Sequence, residues 1–250
     1  MAGALDGKVA LVTGAGKNIG RMTALTLARD GAAVMVNGRS DQAAVDSVVA
    51  EITAAGGRAK GWMADASDEA AVAELVEATA AEFGGIDILV SNAGLRRQTP
   101  LLELSLAEWR EIMSVALEGA FLLARATVPS MIGRGGGAIV AMSGISNHVG
   151  TPNRCHVSAS KAGLEGLMRS LAVELAPHRI RCNCVAPGAV DTRRGASAGA
   201  MPSTLADDGI PLGRKATVEE IAATVRYLAG PEGAYVTGQT LHVNGGLYLT

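Results

Sequence analysis

The amino-acid sequence predicts an α/β domain in which a doubly wound parallel sheet of about seven strands carries helices on both faces. Short apolar runs, typical of buried parallel strands, recur along the whole chain. Between them lie stretches of helical periodicity, such as 72–83, where the apolar positions share one face. Alternating strands and helices joined by right-handed crossovers give this architecture.

The individual elements follow from the same patterns. The runs predicted as strands are 8–12, 33–36, 86–90, 138–142, 180–185 and 240–243. Two helix starts have the form of a capping box, because Ser105 and Thr217 each precede a glutamate by three residues. No linker, charge block or repeat interrupts the pattern, so we expect one domain over 1–250.

Composition excludes several classes of function. Hydrophobic residues make up 48% of the chain and charged residues 18%, which is typical of a globular protein. A net charge of −2 provides no general attraction to nucleic acid or membrane surfaces. We see no signal sequence, no uninterrupted apolar run of membrane-spanning length, no disulfide framework and no metal-ligand spacing among the histidines. We therefore expect a cytoplasmic protein without a metal.

A glycine-rich segment, 13–20, joins the first predicted strand to the first predicted helix. Gly14, Gly16 and Gly20 allow a tight turn and let backbone amides approach a pyrophosphate at the helix N-terminus. Such a segment can also be a mere tight connection. Its position directly after the first strand of a wound sheet favours dinucleotide binding.

Several further segments resemble the short-chain dehydrogenase/reductase family, in particular its 3-oxoacyl-ACP reductases, along nearly the entire chain. In that family's first loop, Thr-Gly-x-x-x-Gly-x-Gly, this chain has Asn18 at the middle glycine, and asparagine tolerates positive φ. The segments 91–94, 187–192 and 235–246 resemble further family motifs. The resemblance implies a Rossmann-type fold, a homotetramer and a substrate lid over about 193–212. It also implies a cofactor site formed by Gly14, Gly16, Lys17, Asn18, Ile19, Gly20, Arg39, Ser40, Asp65, Ala66, Asn92, Ala93, Gly94, Lys161, Pro187, Gly188, Val190 and Thr192.

Charge near the second strand indicates which cofactor binds. NAD-preferring sites place a carboxylate at the end of that strand, whereas residues 37–40 of this chain include no acid. Lys17 and Arg39 lie where the family brackets a 2′-phosphate, and the Ser40 hydroxyl can donate to it. The alternative is that both cations are simply solvated. We predict NADP(H) rather than NAD(H).

The catalytic segment departs from the family pattern. The family's active-site helix has a Tyr-x-x-x-Lys motif, and here Lys161 matches while Val157 occupies the tyrosine position. Gly144 and Ala116 occupy the positions of the family's serine and asparagine. By resemblance, Lys161 keeps the role of holding the ribose hydroxyls. Positioned acid–base catalysis contributes about 10²–10⁴-fold, so a substitute proton donor or an altered reaction is needed.

Three alternatives follow. A replacement donor in an NADP-dependent oxidoreductase is the first, and we expect His156, which directly precedes the tyrosine position, to be its acid. Neighbouring helical residues point about 100° apart, so this requires a distorted helix start, and the alternative is a partly buried histidine on the outer side of the helix. His148 is another candidate donor, and Ser143 and Ser146 flank the serine position, either to hold a substrate oxygen or only to cap local structure. An imine substrate, which needs no such acid, is the second alternative. A protein that binds NADP without turnover, as a sensor or subunit, is the third.

Arginines surround the expected substrate mouth. Arg96, Arg97, Arg154, Arg193 and Arg194 fall in segments that border the substrate in the family, and guanidinium groups bind carboxylates and phosphates in a two-pronged way. The alternative is a set of solvated loop arginines. We expect an anionic substrate. The residues expected to contact it are Arg96, Ser146, His148, Arg154 and Arg193.

Overall fold

The computed structural model describes residues 3–192 and 209–250. Within them the chain forms a seven-stranded sheet in which every neighbouring pair is parallel, in the order β3-β2-β1-β4-β5-β6-β7. The strands are β1 Val9–Val12, β2 Ala33–Gly38, β3 Ala59–Met63, β4 Ile88–Ser91, β5 Gly137–Met142, β6 Ile180–Pro187 and β7 Thr240–Val243. The predicted doubly wound parallel sheet is confirmed.

Helices cover both faces of this sheet. They are α1 Asn18–Arg29, α2 Gln42–Ala54, α3 Glu69–Phe83, α4 Leu106–Met113, α5 Gly119–Gly133, α6 Ser146–Val149, α7 Cys155–Leu175 and α8 Val218–Ala229. Alternate residues of β1 point to opposite faces, so Val12 joins an apolar core with α1, α2 and α8. Leu11 joins a second core with α3, α5 and α7. The two cores fix the strand ends that carry the site.

The predicted capping boxes have different outcomes. At α8, Thr217 and Glu220 satisfy each other's backbone amides, so this box is confirmed. At α4, Ser105 Oγ accepts from the Glu108 amide at 3.1 Å, but the Glu108 carboxylate accepts instead from the Thr99 hydroxyl at 2.7 Å. Only the serine half of the predicted box forms there, because the Glu108 carboxylate accepts from the Thr99 hydroxyl and not from the Ser105 backbone amide.

A π-helical turn, Ser114–Glu118, joins α4 to α5, so that helix continues from Leu106 to Gly133. By length and composition alone this run is apolar enough to cross a membrane, which differs from the sequence expectation. Half of its apolar window is buried inside the fold, as in a core helix. Gly119 allows this helix to pack closely against the backbone of Ala66, because a Cβ there would lie 2.8 Å from the Ala66 carbonyl oxygen.

Candidate functional site

A cavity of about 270 Å³ lies at the carboxyl ends of the strands, beside the point where the strand order reverses between β1 and β4. Ligands of doubly wound sheets bind at such a switch point. The described residues that line it are Gly14, Lys17, Asn18, Ile19, Gly20, Asn92, Ala93, Gly94, Leu95, Arg96, Met142, Ser143, Gly144, Ile145, Ser146, Arg154, Val157, Lys161, Pro187, Gly188, Ala189, Val190 and Thr192. One cavity therefore joins the glycine-rich segment to the lysine of α7.

The glycine-rich segment turns tightly into α1. Gly14 and Asn18 have φ values of +60° and +49°, so the prediction that asparagine tolerates the left-handed conformation at this position is confirmed. A Cβ on Gly20 would lie 2.2 Å from the Gly14 carbonyl oxygen, which makes glycine necessary there. The Ala15 amide donates to the Asn37 carbonyl at 2.8 Å and fastens the turn to β2.

The N-terminus of α1 is adapted to an anion. Side chains of Asp41, Asp68 and Thr217 cap the helices α2, α3 and α8, whereas α1, like α5, α6 and α7, starts without a side-chain cap. The first residues of α1 line the cavity, so their amides and the positive end of the helix dipole are directed to its contents. These residues fit the pyrophosphate of a dinucleotide.

Asn92 ties the ends of β1 and β4 together. Its side-chain amide donates to the Thr13 and Gly14 carbonyls at 2.9 and 3.1 Å, and Thr13 Oγ1 accepts from the amides of Asn92 and Ala93 at 3.1 Å each. The bonds hold Ala93 and Gly94 against the cavity. Gly94 lies close to α7, because a Cβ there would be 3.4 Å from Lys161 Nζ.

The cations predicted to select the cofactor are paired with carboxylates. Lys17 Nζ lies 2.7 Å from Asp41 Oδ2, and Arg39 lies 3.8 Å from Asp65 Oδ2. The hydrogen bond from Lys17 is the main reason why the pKa of Asp41 is lowered. Lys17 lines the cavity, while Arg39, Ser40, Asp65 and Ala66 follow β2 and β3 outside its lining.

The opposite end of the cavity carries Lys161. Its side chain is buried, Nζ donates to the Met142 carbonyl at 2.6 Å, and burial lowers its pKa to about 8. Val157 lies one helical turn earlier and presents methyl groups to the same cavity. A Cβ on Gly144 would meet no described atom within 4 Å, so the space beside this residue is open.

His156 lies away from the cavity. It is fully buried, and its Nε2 lies 3.5 Å from Glu108 Oε1 on α4. Neither ring nitrogen has a hydrogen-bond partner among the described residues, and burial lowers its pKa. Because α7 starts without the distortion that the prediction required, His156 and Val157 point in different directions, and His156 is not among the residues that line the cavity.

A buried carboxylate that sequence reasoning missed lies behind the cavity wall. Glu165 Oε1 accepts from Ser143 Oγ at 2.5 Å, from His148 Nε2 at 2.9 Å and from Asn147 Nδ2 at 3.1 Å. Burial raises the pKa of Glu165, but the three hydrogen bonds outweigh it, so the pKa is lowered overall. The signal in the sequence was a glutamate four residues after Lys161, on the helix's buried face.

The structure brings only some of the residues expected to contact the substrate to the cavity. Arg96, Arg154 and Ser146 line the cavity, whereas His148 packs against the rings of His242 and Tyr248 outside its lining. Arg97 forms an ion pair with Glu111 instead. Arg193, Arg194 and the predicted lid as far as residue 208 lie outside the described residues.

The end of β6 and the residues that follow it also line the cavity, through Pro187, Gly188, Val190 and Thr192. That these residues contact the nicotinamide stays a prediction. A Cβ on Gly188 would lie 2.7 Å from Asn244 Cα, so glycine lets this segment pack against the C-terminal part of the chain. Among the described residues, no group of three or more His, Cys, Asp or Glu side chains is placed to hold a metal.

Comparison with known proteins gives a consistent result. Residues 14–248 match the family model described as enoyl-(acyl carrier protein) reductase. The chain is 40% identical over 247 residues to the 3-oxoacyl-[acyl-carrier-protein] reductase of Synechocystis, covering 98% of this chain and 99% of the relative. It is 39% identical over 251 residues to that of Escherichia coli, covering 98% of each chain.

Solved structures agree. A dehydrogenase/reductase from Sinorhizobium meliloti is similar at a TM-score of 0.91 with 35% identity, covering 98% of this chain and 96% of the other. A 7α-hydroxysteroid dehydrogenase, solved with NADH and 7-oxoglycochenodeoxycholic acid, is similar at a TM-score of 0.91 with 32% identity. The match covers 97% of this chain and 94% of that one.

Proposed function

Because this chain belongs to the short-chain dehydrogenase/reductase family of oxidoreductases, we propose that it is an NADP(H)-dependent enzyme with a non-standard catalytic centre. It interconverts a carbonyl with an alcohol, or an imine with an amine, on a small anionic substrate. The observation that carries this proposal is the single cavity that reaches from the uncapped start of α1 to Lys161.

The end of the cavity that the glycine-rich segment forms, here called the phosphate end, supports dinucleotide binding. The N-terminus of α1 and Gly14 would hold the pyrophosphate, while Lys161 would hold the nicotinamide ribose. When bound, the cofactor supplies the hydride. The segment 187–192 borders the cavity next to Lys161 and would orient the nicotinamide ring.

Preference for NADP(H) rests on Lys17 and Arg39. A 2′-phosphate placed between them would replace the Asp41 carboxylate as the partner of Lys17, and Ser40 would donate to it. The structural neighbour solved with NADH does not decide the choice for this chain. Titration with NADPH and NADH, followed by quenching of the fluorescence of Trp62 and Trp109, tests the preference, and tighter NADH binding would contradict it.

The non-standard centre is proposed because the proton-handling positions hold Val157, Gly144 and Ala116 while the cofactor-holding positions are kept. A chain that had lost its function without selection would be expected to lose both sets. The space beside Gly144 and the methyl groups of Val157 leave the substrate oxygen without the family's hydroxyl groups. The enzyme therefore uses another donor or a substrate that needs none.

The substrate class follows from the arginines and the relatives. The 3-oxoacyl reductases act on a carbonyl group in a carrier-linked acyl chain, which supports a carbonyl substrate here. Arg96 and Arg154 at the cavity wall favour a carboxylate or phosphate on that substrate. Kinetics on matched charged and neutral carbonyls test this, and a preference for neutral ketones would contradict the anionic substrate.

Single-turnover oxidation of NADPH tests the function as a whole. Wild-type protein is saturated with NADPH and mixed with a panel of carbonyl and iminium compounds, and the absorbance of the bound NADPH is followed. Turnover of any member supports the enzyme. Tight NADPH binding without turnover of the panel would instead support the alternative, a silent NADP-binding sensor or subunit.

We also propose a cytoplasmic homotetramer. Exposed apolar side chains support association, because Val173, Tyr235 and Leu249 are 79%, 103% and 82% exposed in the single chain. Light scattering of the purified protein measures the mass, and a monomer of 25.3 kDa would contradict the proposal.

A further inference from the structure

We infer that Lys161 is itself the proton donor to the substrate oxygen, in the place of the family's tyrosine, and the proton acceptor when the reaction runs in reverse. The inference rests on the proposed function and names the residue that completes its non-standard centre. It assigns Lys161 a role beyond that of holding the cofactor.

The first argument is the chemistry of the cavity wall. Its described lining includes no Asp, Glu, His, Cys or Tyr side chain. Of its cationic residues, Arg96 and Arg154 do not lose their protons at any ordinary pH. Lys17 lies at the phosphate end and is paired with Asp41. Among the described residues that line the cavity, Lys161 is therefore the one away from the phosphate end whose side chain can release a proton near neutral pH.

The second argument is geometry. Lys161 follows Val157 by one turn on the cavity side of α7, so its ammonium group lies beside the space that the tyrosine would occupy. An ammonium has three N–H donors, and a described hydrogen bond to the Met142 carbonyl uses one of them. Valine is smaller than tyrosine and has no donor, so of the two remaining N–H groups one can hold a ribose hydroxyl while the other has access to a substrate oxygen.

The third argument is electrostatic. Burial lowers the pKa of Lys161 to about 8, and Arg96, from the loop after β4, acts in the same direction. Cys184 on β6 would oppose this only as a thiolate, and burial raises its pKa to about 12, so it is neutral when Lys161 titrates. The other charged group nearby on α7, the Glu165 carboxylate, accepts its hydrogen bonds from Ser143, Asn147 and His148. An acid of this strength suits proton transfer near neutral pH.

In the reduction of a carbonyl substrate, the hydride and the proton add to different atoms. The hydride forms a C–H bond at the carbonyl carbon, and the π electron pair moves to the oxygen. One N–H bond of Lys161 breaks as the new O–H bond forms, leaving a neutral amine that takes a proton from water. Hydride addition to an iminium carbon gives a neutral amine directly, so that reaction needs no proton from Lys161.

The test replaces Lys161 with arginine and with methionine. Arginine keeps a cation and donors for the ribose but cannot release a proton. We expect Lys161→Arg to bind NADPH within a few-fold of wild type, by fluorescence titration, and to reduce carbonyls about 10²–10⁴-fold more slowly in single turnover. Iminium reduction should fall by less, so the ratio of carbonyl to iminium rates measures the loss of the proton donor. We expect Lys161→Met to weaken NADPH binding as well, since it removes the ribose donors.

The pH profile gives a second readout that a purely structural role would not change. Carbonyl reduction by the wild type should fall as pH rises through about 8, and this decline should be absent in Lys161→Arg. Wild-type carbonyl rates and an unchanged profile in Lys161→Arg would overturn the inference while leaving the proposed function intact. A wild type that binds NADPH and reduces nothing would overturn both.

Arginine is larger than lysine, so a second variant covers the case in which Lys161→Arg does not fold or bind. Lys161→Cys, alkylated with 2-bromoethylamine, restores a lysine-shaped side chain with a less basic amine. The background is Cys155→Ser, because Cys155 is exposed while Cys182 and Cys184 are buried. We expect activity to return with its decline moved to lower pH. Restored activity with the wild-type profile would overturn the inference.

Discussion

Glu165 Oε1 accepts a hydrogen bond of 2.5 Å from Ser143 Oγ, so a carboxylate on α7 holds the first residue after β5 in place. The loop that follows forms the wall of the cavity opposite the glycine-rich segment, through Gly144, Ile145 and Ser146. His148 and Asn147 bind the same oxygen from α6. One buried carboxylate therefore ties three residues in and after this loop to α7.

Replacing Glu165 with alanine should destabilise the protein by about 1–3 kcal/mol or more, because it leaves buried donors without an acceptor. Glu165→Gln should cost less, since its carbonyl oxygen still accepts hydrogen bonds. Denaturant unfolding at pH 7 measures both. The control is Glu174→Gln, an exposed glutamate on the same helix, which should have no measurable effect.

The pH dependence of stability should change in the same variant. The pKa of Glu165 is lower in the folded protein, so its contribution is present above the ordinary glutamate pKa and is lost as pH falls through the folded value. Glu165→Gln should therefore lose less stability than wild type between about pH 4.5 and the lower folded value. Parallel acid limbs in the two proteins would contradict this.

Adding hydroxyl groups at the two positions where we propose that the family's are missing should accelerate carbonyl reduction. Gly144→Ser enters open space, and Val157→Tyr places a phenol beside Lys161. We expect the double variant to reduce carbonyls faster than wild type, by less than the about 10²–10⁴-fold contribution of a positioned acid, because Lys161 already supplies a proton in the wild type. Val157→Phe with Gly144→Ser is the matched control, because it adds the ring without the hydroxyl. Equal rates in the two double variants would show that the phenol is not used.

Removing the Asp41 charge should strengthen NADPH binding relative to NADH. Asp41 competes with a 2′-phosphate for Lys17, whereas the asparagine side chain of the Asp41→Asn variant would still cap α2. Because both charges are exposed and screened by solvent, we expect only about a 1.4- to 5-fold change in the Kd ratio. Asp68→Asn, at the start of α3, is the control. A shift toward NADH would argue against a phosphate at this position.

The His156→Leu variant tests whether the histidine takes part in the reaction. His156 faces Glu108 and not the cavity, so carbonyl reduction in single turnover should remain within a few-fold of wild type. Because both ring nitrogens lack hydrogen-bond partners among the described residues, replacing them with apolar atoms should not reduce stability by more than about 1 kcal/mol. A loss of about 10²-fold or more with intact NADPH binding would restore His156 as the proton donor.

Much of the fold could be predicted because the patterns are local. Buried parallel strands need continuous apolar runs, and the predicted runs fall on the observed strands, whereas β3 was missed because it is an edge strand with Lys60 and Gly61 in it. Asn18 was also predictable, since the backbone conformation of a tight turn limits which residues fit. The capping box at Ser105 was only half right, because the partner of Glu108 comes from outside the helix.

The sequence by itself determined the wound sheet and the glycine-rich turn, and it places Val157 four residues before Lys161, because these depend on periodicity, backbone conformation and residue identity. The tertiary structure decided what surrounds each group. It turned His156 toward Glu108, paired Lys17 with Asp41 and gathered three donors around Glu165. It also buried Lys161 at the cavity wall, where the loss of solvation lowers its pKa toward neutral pH. Burial and partners from distant segments depend on the packed fold, and no local pattern encodes them.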